Sequence, residues 1–350
     1  MIVRLSLGEV ERARLVLRGG SVLDWRRLNV NSREECEAIL RVNGFEVLDK
    51  EDTAHLKEIQ VSAIDYLKRN FGFSFSPEIC NACFTSDLML MASGGNAVLR
   101  RQACTILKVM LVIHHIEARE LKARLNISDN ALYHLLEDKT QQVINDMKDK
   151  GYPIIDFKSS QKTHDSIITK LLSKRQGNRA LLYDMLRFRI VTANTEEIVP
   201  VIAYLSQHLF PFNYTVPGES HNTLFDFTDY VRCHPRMSKM IPELHVDMKF
   251  ENEMLTTPNP DTSDTFRTVN FIVDLPLRLQ DHYLEVWAPG LNLTSRVVHV
   301  LAEFQIVDKD SNISNERGES SHARYKARRL LKVKQRLLKG SISWSGDNID

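Results

Sequence analysis

From about residue 153 onward, short runs of β-branched residues alternate with segments of helical periodicity, and this alternation is what most constrains the fold. The β-type runs are RFRIVTA (187–193), TVNFIVDLPL (268–277), HYLEVWA (282–288) and VVHVLAEFQIVD (297–308). Helical patterns lie between and after them, at 164–175, 196–210 and 321–339. Strands mixed with helices predict an α+β domain built on one mixed β-sheet flanked by helices.

Residues 1–150 have a different texture, and we predict an all-helical N-terminal region there. Apolar residues recur three and four positions apart in the segments 34–44, 52–72, 96–126 and 128–151, three of which close on glycine. We therefore divide the chain into a helical region at 1–150, an α+β domain at 151–340 and a loose tail at 341–350. The role of the helical region, regulatory or in assembly, is left open.

Composition and charge exclude several classes of protein. The 350 residues carry a net charge of +1, with 43% hydrophobic and 26% charged residues, as is ordinary for a globular protein. No apolar run reaches the roughly 18–20 residues that span a bilayer, and charges interrupt the apolar part of the N-terminus, unlike in a signal peptide. Five cysteines in a chain of this length do not form a disulfide framework. We expect a cytoplasmic protein that does not associate with membranes.

Two short motifs could hold a metal, but each has a simpler interpretation. Cys80 and Cys83 form a lone CxxC, with no second Cys/His pair at the spacing of a zinc ribbon. We favour two small apolar residues at the start of a helix. His114 and His115 could serve as ligands or bases, and we favour histidines of a core or a helix surface.

A stronger candidate is the segment QKTHDSIITKLL. Lys162, Ser166 and Lys170 stand at i, i+4 and i+8, which predicts that they share one face of a helix. Two lysines beside the free N–H groups of a helix N-terminus would suit a phosphate group. A solvated face with ordinary lysines is the alternative.

Charged residues also interrupt two of the predicted strands. In LLYDMLRFRIV (181–191), Asp184 precedes a strand whose alternation places Arg187 and Arg189 opposite the apolar residues. In the later strand, Glu303 and Gln305 are two apart and therefore face one side of the sheet. Carboxylates at such positions could hold Mg²⁺ or activate a hydroxyl. Surface salt bridges and a half-exposed polar face are the alternatives.

The last helical pattern, residues 321–339, contains eight basic residues and no acidic one. Such a helix could bind polyphosphate, RNA or an acidic partner, or it could be a solvated terminal helix.

Taken in order, these motifs resemble the synthetase domain of RelA/SpoT-like alarmone synthetases, which has a nucleotidyltransferase-type fold. The resemblance covers roughly residues 153–335. The matching positions, in the order of the chain, are Lys162, Ser166, Lys170, Asp184, Arg189, Phe266 to Asn270, Glu303, Gln305, His322, Tyr325 and Lys326.

The resemblance implies an ATP-dependent pyrophosphokinase, a transferase that moves pyrophosphate from ATP to the 3′-hydroxyl of GDP or GTP. Asp184 and Glu303 would be the catalytic carboxylates and the ligands of Mg²⁺. The remaining roles would divide between two substrates. The ATP phosphates and base would be held by Lys162, Ser166, Lys170 and Arg189; the acceptor would be held by Phe266, Asn270, Gln305, His322 and Lys326.

Several positions depart from the family pattern, mostly on the acceptor side. Ser160 stands where the family has an arginine that stacks on the ATP base, Phe266 replaces a tyrosine, and Asn270 replaces a histidine. The acceptor could therefore be a guanine nucleotide, another nucleotide or an RNA end reached through residues 321–339. A non-catalytic protein that binds nucleotide or RNA, and an unrelated interaction protein with chance matches, are the rival interpretations. A homo-oligomer is left open.

Overall fold

The computed structural model describes residues 5–18, 30–94, 96–174, 183–210, 214–216, 218–233, 266–290, 295–317 and 322–338. Within these ranges, seven helices precede the first strand: α1 (Leu7–Arg18), α2 (Arg33–Val42), α3 (Lys50–Phe71), α4 (Pro77–Cys80), α5 (Thr85–Ser93), α6 (Ala97–Arg124) and α7 (Asp129–Asp149). Strands and helices then alternate: β1 (Ile154–Gln161), α8 (His164–Lys174), β2 (Leu186–Thr192), α9 (Ile198–His208), β3 (His221–Asn222), α10 (Phe227–Cys233), β4 (Val269–Arg278), α11 (Asp281–Trp287), β5 (Val297–Asp308), α12 (Lys309–Glu316) and α13 (His322–Leu338).

The long N-terminal helices begin and end at residues that satisfy their free backbone groups. The Asp49 side chain accepts hydrogen bonds from two N–H groups in the first turn of α3, and Gly72 ends that helix in the left-handed conformation, with φ of 66°. Asn96 caps α6 in the same way as Asp49 caps α3. These start and stop signals are local, which explains why the sequence alone indicates these helices.

The strands form one five-stranded mixed sheet in the order β1-β2-β5-β4-β3. β2 and β5 run parallel, and the other neighbouring pairs are antiparallel. The register places Arg187 directly opposite Glu303, and Arg189 opposite Gln305. On the other side of β5, Asn270 of β4 lies opposite Gln305. Side chains alternate between faces along each strand, so these five residues project from the same face of the sheet.

The opposite face of the sheet is apolar and forms the main core. Phe188, Phe271 and Phe304 are fully buried there, and the rings of Phe271 and Phe304 stack with their centroids 5.4 Å apart. Helices α1, α7 and α9 contribute to the same apolar cluster. The alternation predicted for 187–191 is therefore confirmed, with apolar side chains inward and arginines outward.

A second apolar cluster lies within the N-terminal helices, between residues 30 and 110. The predicted α+β class with a preceding helical region is confirmed. The boundary predicted at residue 150 stays a prediction, and the main core draws residues from both sides of it, such as Leu136 of α7 and Phe304 of β5. Of the helices in the described ranges, none combines the length and apolarity that crossing a membrane requires.

Three local predictions are wrong. The run HYLEVWA forms helix α11 rather than a strand, because Tyr283 and Trp287 are four residues apart and stack at 4.5 Å. Lys162 lies two residues before α8, so it does not share a helix face with Ser166 and Lys170. Cys80 ends the short helix α4 instead of beginning a helix. The predicted tail at 341–350 lies outside the described residues.

Candidate active site

Three segments of the chain converge on the carboxylate of Asp184. Lys162 follows β1, Lys170 lies in α8, and Asp184 lies two residues before β2. The Lys170 Nζ donates to Asp184 Oδ1 over 2.6 Å, and the Lys162 Nζ donates to the other carboxylate oxygen. The backbone N–H of Lys162 also donates to the carbonyl of Met185 over 2.9 Å, which ties the two segments together. Although Lys162 precedes α8, it thus lies beside Lys170, and both lysines donate to the same carboxylate.

Burial and pairing act on these charges in opposite directions. All three side chains are largely buried. Burial alone would raise the pKa of Asp184, but the two lysines outweigh it and hold that pKa below its ordinary value. Burial lowers the pKa of Lys162 to about 8, although the negative charges of Asp184 and Glu303 favour its protonated form. The lowered pKa of Asp184 keeps its carboxylate ionised at neutral pH, between two basic side chains.

The second carboxylate of the site, Glu303, lies on the polar face of β5. Arg187 donates from Nε to Glu303 Oε2 over 2.6 Å, and Asn270 donates from Nδ2 to Oε1 over 2.7 Å. Gln305 reaches the same Oε1 over 3.4 Å. Both oxygens of a carboxylate that is only 6% exposed are thus hydrogen-bonded within the sheet. The predicted pairing of Glu303 and Gln305 on one side of the sheet is confirmed.

The other residues predicted for ATP lie around these two carboxylates. Arg189 is half-buried, and its guanidinium donates to the amide oxygen of Asn312 in α12 over 2.6 Å. Ser166 lies in the first turn of α8, where its hydroxyl is 2.9 Å from that of Thr163. Arg189 projects from the polar face, opposite Gln305, and the roles of both residues toward ATP stay predictions.

The residues predicted for the acceptor are not all brought together. Asn270 contacts Glu303 directly. Phe266 comes four residues before Asn270 in an extended segment, which is about 13 Å of chain, and its carbonyl accepts a hydrogen bond from Thr223. Lys326 is exposed on α13, a helix that packs on α8, where Arg336 donates to the carbonyls of Leu172 and Ser173. His322 opens α13, and its side chain lies outside what the structure describes.

The residues present fit Mg²⁺ only together with a polyphosphate. Within the described ranges, no group of three or more His, Cys, Asp or Glu side chains is arranged to hold a metal ion. Mg²⁺ is usually bound by one or two carboxylates plus phosphate oxygens rather than by a protein cage. Asp184 and Glu303 supply such carboxylates, but cationic side chains occupy both of them. Phosphates that attract these cations would make the carboxylates available to the ion.

Arg187 is the residue of this site that the motifs do not assign. Alternation along the strand places it on the face of Arg189, but attaches no role to it. The missing signal is strand pairing. Arg187 and Glu303 are 116 residues apart in sequence, and only the parallel register of β2 and β5 places them opposite each other. Sequence spacing within one strand cannot supply that information.

Comparison with known proteins finds similarity in solved structures only. No family model matches the chain, and no curated protein matches it either. Small alarmone synthetase 2 from Bacillus subtilis is 18% identical over 61% of this chain and 96% of its own, with a TM-score of 0.31. Small alarmone synthetase 1 from Bacillus subtilis, solved with its product pppGpp, is 14% identical over 61% and 93%, with a TM-score of 0.32. A GTP pyrophosphokinase family protein from Streptococcus pneumoniae is 13% identical over 60% and 85%, with a TM-score of 0.30. The similar structures are thus of the family that the motifs indicate, and similarity at this level carries no conclusion about activity or substrate.

Proposed function

We propose that this chain is an ATP-dependent pyrophosphokinase that transfers the β,γ-pyrophosphate of ATP to the 3′-hydroxyl of a nucleotide, with a guanine nucleotide as the first acceptor to test. The observation that carries the proposal is the convergence of Lys162 and Lys170 on Asp184, beside a second carboxylate at Glu303. Paired lysines held in place by a carboxylate are suited to bind phosphate oxygens.

The proposed reaction assigns one task to each group. The acceptor 3′-oxygen forms a bond to the β-phosphorus of ATP, the bond from that phosphorus to the oxygen bridging to the α-phosphate breaks, and AMP leaves. Glu303 accepts the proton of the hydroxyl, while Lys162 and Lys170 hold the phosphates as negative charge moves onto the leaving group. Mg²⁺, held by Asp184 and Glu303 with the phosphates, would supply neutralisation of charge in the transition state.

The acceptor side supports only a general statement. Asn270 and Gln305 both contact Glu303 and could orient the ribose hydroxyl by hydrogen bonds. Phe266 comes four residues before Asn270 and offers a ring for stacking on a base. Binding of an RNA end through the basic residues of α13 is an alternative to a free nucleotide.

The experiment is transfer of label from γ-labelled ATP in the presence of Mg²⁺, with GDP, GTP, ADP, ATP and bulk tRNA offered in parallel. Asp184→Asn should reduce transfer by about 1,000-fold, since it removes the charge that orients both lysines and binds the ion. Asp229→Asn is the matched control, because Asp229 is exposed on α10, where it pairs with Arg232 of the same helix. Transfer that is unaffected by Asp184→Asn would contradict the proposal.

A second function is favoured by one observation, the occupation of both carboxylates by cations of the chain itself. A protein that binds nucleotide without turnover could keep these ion pairs permanently. It would bind ATP in a titration but transfer no label to any of the five acceptors.

A further inference from the structure

Arg187 is placed where it can respond to a ligand of the site. It is the second residue of β2, on the polar face of the sheet, and it follows Asp184 of the Lys162–Asp184–Lys170 cluster by three residues. Its side chain is 29% exposed, whereas that of its partner Glu303 is 6% exposed. The Arg187 side chain is thus partly exposed, while that of Glu303 is almost completely covered.

The chemistry of the two side chains suggests what could displace this pair. A guanidinium has five N–H donors in a planar fork that matches phosphate as well as carboxylate. Arg187 donates from Nε to the carboxylate of Glu303, and the same side chain could bind a phosphate instead. Glu303 would retain Asn270 and Gln305 as donors if the arginine moved away.

The charges of the whole cluster favour an incoming anion. Lys162, Lys170 and Arg187 carry three positive charges against the two negative charges of Asp184 and Glu303, which leaves one positive charge in excess. Each carboxylate is paired with cationic side chains that could otherwise bind a polyphosphate. A polyphosphate brings more negative charge than the carboxylate it displaces.

We propose that Arg187 is a polyphosphate-binding residue that Glu303 holds in reserve: the phosphates of an incoming nucleotide take the guanidinium and thereby release the carboxylate. This inference rests on the proposed function to the extent that the ligand is a nucleotide. It adds a binding residue and makes release of Glu303 depend on occupation of the phosphate site. Bare Mg²⁺ offers the guanidinium no anionic partner in place of Glu303, so we expect release of the carboxylate to need the phosphates.

A double-mutant cycle tests the proposal by binding alone. ATP is titrated calorimetrically in EDTA into wild type, Arg187→Gln, Glu303→Gln and the double variant. Arg187→Gln should weaken ATP binding about tenfold, as expected for loss of a charge-assisted hydrogen bond. Glu303→Gln should tighten binding severalfold when Arg187 is present. It should tighten binding clearly less in the Arg187→Gln background, since no guanidinium is then released.

Lys158→Gln is the matched control for loss of a positive charge. Lys158 lies on β1 opposite Arg189, on the same face of the sheet, and it pairs with Asp156 rather than with Glu303. It should change ATP affinity by less than about twofold at physiological salt, because it is 71% exposed and screened.

The outcomes separate this inference from the proposed function. Equal effects of Glu303→Gln in both backgrounds, or an effect of Arg187→Gln no larger than that of Lys158→Gln, would overturn the role of Arg187 even if pyrophosphate transfer occurs. Coupling between the two residues without any transfer would support the role of Arg187 and contradict the transferase alone. Absence of ATP binding by the wild type would overturn both. Matching thermal unfolding of all five proteins confirms that they are folded.

Discussion

The polar face formed by β4 and β5 has ionisable groups at both ends, and their environments differ. At one end Glu303 accepts a hydrogen bond from Arg187, whose side chain is partly exposed. At the other end His299, on the same side of β5, is buried beneath α6, where its ring lies 5.5 Å from that of His114 and 4.6 Å from that of His115. The first end keeps its charged groups by pairing them, and the second buries histidines in their neutral form.

The pKa values follow this division. Burial, followed by neighbouring histidines, lowers the pKa of His114 to about 3 and that of His299 well below its usual range. Burial raises the pKa of Asp274, which is near His115 on β4, to about 6. The same strand alternation thus produces a partly exposed charged end, and a covered end that packs against α6 of the helical region. The covering helices, not the strand sequences, decide which end is which.

The largest expected effect comes from breaking the covered end. Arg278 of β4 pairs with Asp52 of α3, which is buried, and donates to the carbonyl of Gly44 over 3.0 Å. Arg278→Ala would leave Asp52 buried without its cation, so the free energy of unfolding should fall by about 3 kcal/mol. Urea unfolding measures this change.

Arg296→Ala is the control for that prediction. Arg296 pairs with the exposed Glu51 and, over 3.5 Å, with Asp49 of the same helix region. The loss should stay below about 1 kcal/mol, as for exposed ion pairs. A loss as large as that of Arg278→Ala would mean that burial does not distinguish the two contacts.

The next effect is a loss of folding stability at acidic pH. Because the pKa of His114 is lower in the folded chain than in the unfolded one, its neutral burial contributes stability that is fully present above pH 6.5 and lost as pH falls toward 3. His114→Phe should therefore lose less stability than wild type between pH 7.5 and pH 4.5, by about 2 kcal/mol. Unfolding curves at both pH values measure it, and each protein is compared with itself.

His134→Phe provides the matched control, since His134 is 70% exposed on α7. It should follow the wild-type dependence on pH. If His114→Phe also follows that dependence, the covered end does not hold this histidine in its neutral form.

The smallest effect has the opposite sign. The pKa of Asp274 is raised in the folded chain, so its contribution to stability is present below about pH 4 and is lost as pH rises through about 6. Asp274→Asn removes that loss, and at pH 7.5 the variant should gain about 2 kcal/mol over wild type, relative to the difference at pH 4, a little less than the effect of His114→Phe. Thermal unfolding at the two pH values checks it. A variant that gains stability equally at both values would contradict the raised pKa.

The two ends also differ in how far the sequence predicts them. Caps such as Asp49 and Gly72, and the alternation around Phe188, are local signals, and they fix most helices and the inward face of the sheet. The motifs alone indicate that Asp184 and Glu303 are site residues with basic residues near them. The specific partners could not: the bond of Arg187 to Glu303 spans 116 residues and depends on strand register.

The covered end is least visible in the sequence for the same reason. His115 and Asp274 are ordinary polar residues in their own segments, and only packing of α6 against the sheet brings them within 3.4 Å. The wrong strand prediction for 282–288 has a local cause instead, since Tyr283 and Trp287 fit both an apolar run and a helical repeat. A short apolar run does not distinguish these two structures.

The most direct test of the account is calorimetric titration of ATP, with Mg²⁺, into wild type and into the double variant Lys162→Gln/Lys170→Gln. If the charged end of the sheet, around Asp184 and Glu303, is a polyphosphate site, wild type binds ATP and the double variant binds it at least about 100-fold more weakly. The reason is that each charge-assisted contact is worth roughly 1.5–3 kcal/mol. Unchanged affinity in the double variant, with its fold intact, would contradict the assignment of this end as the nucleotide site.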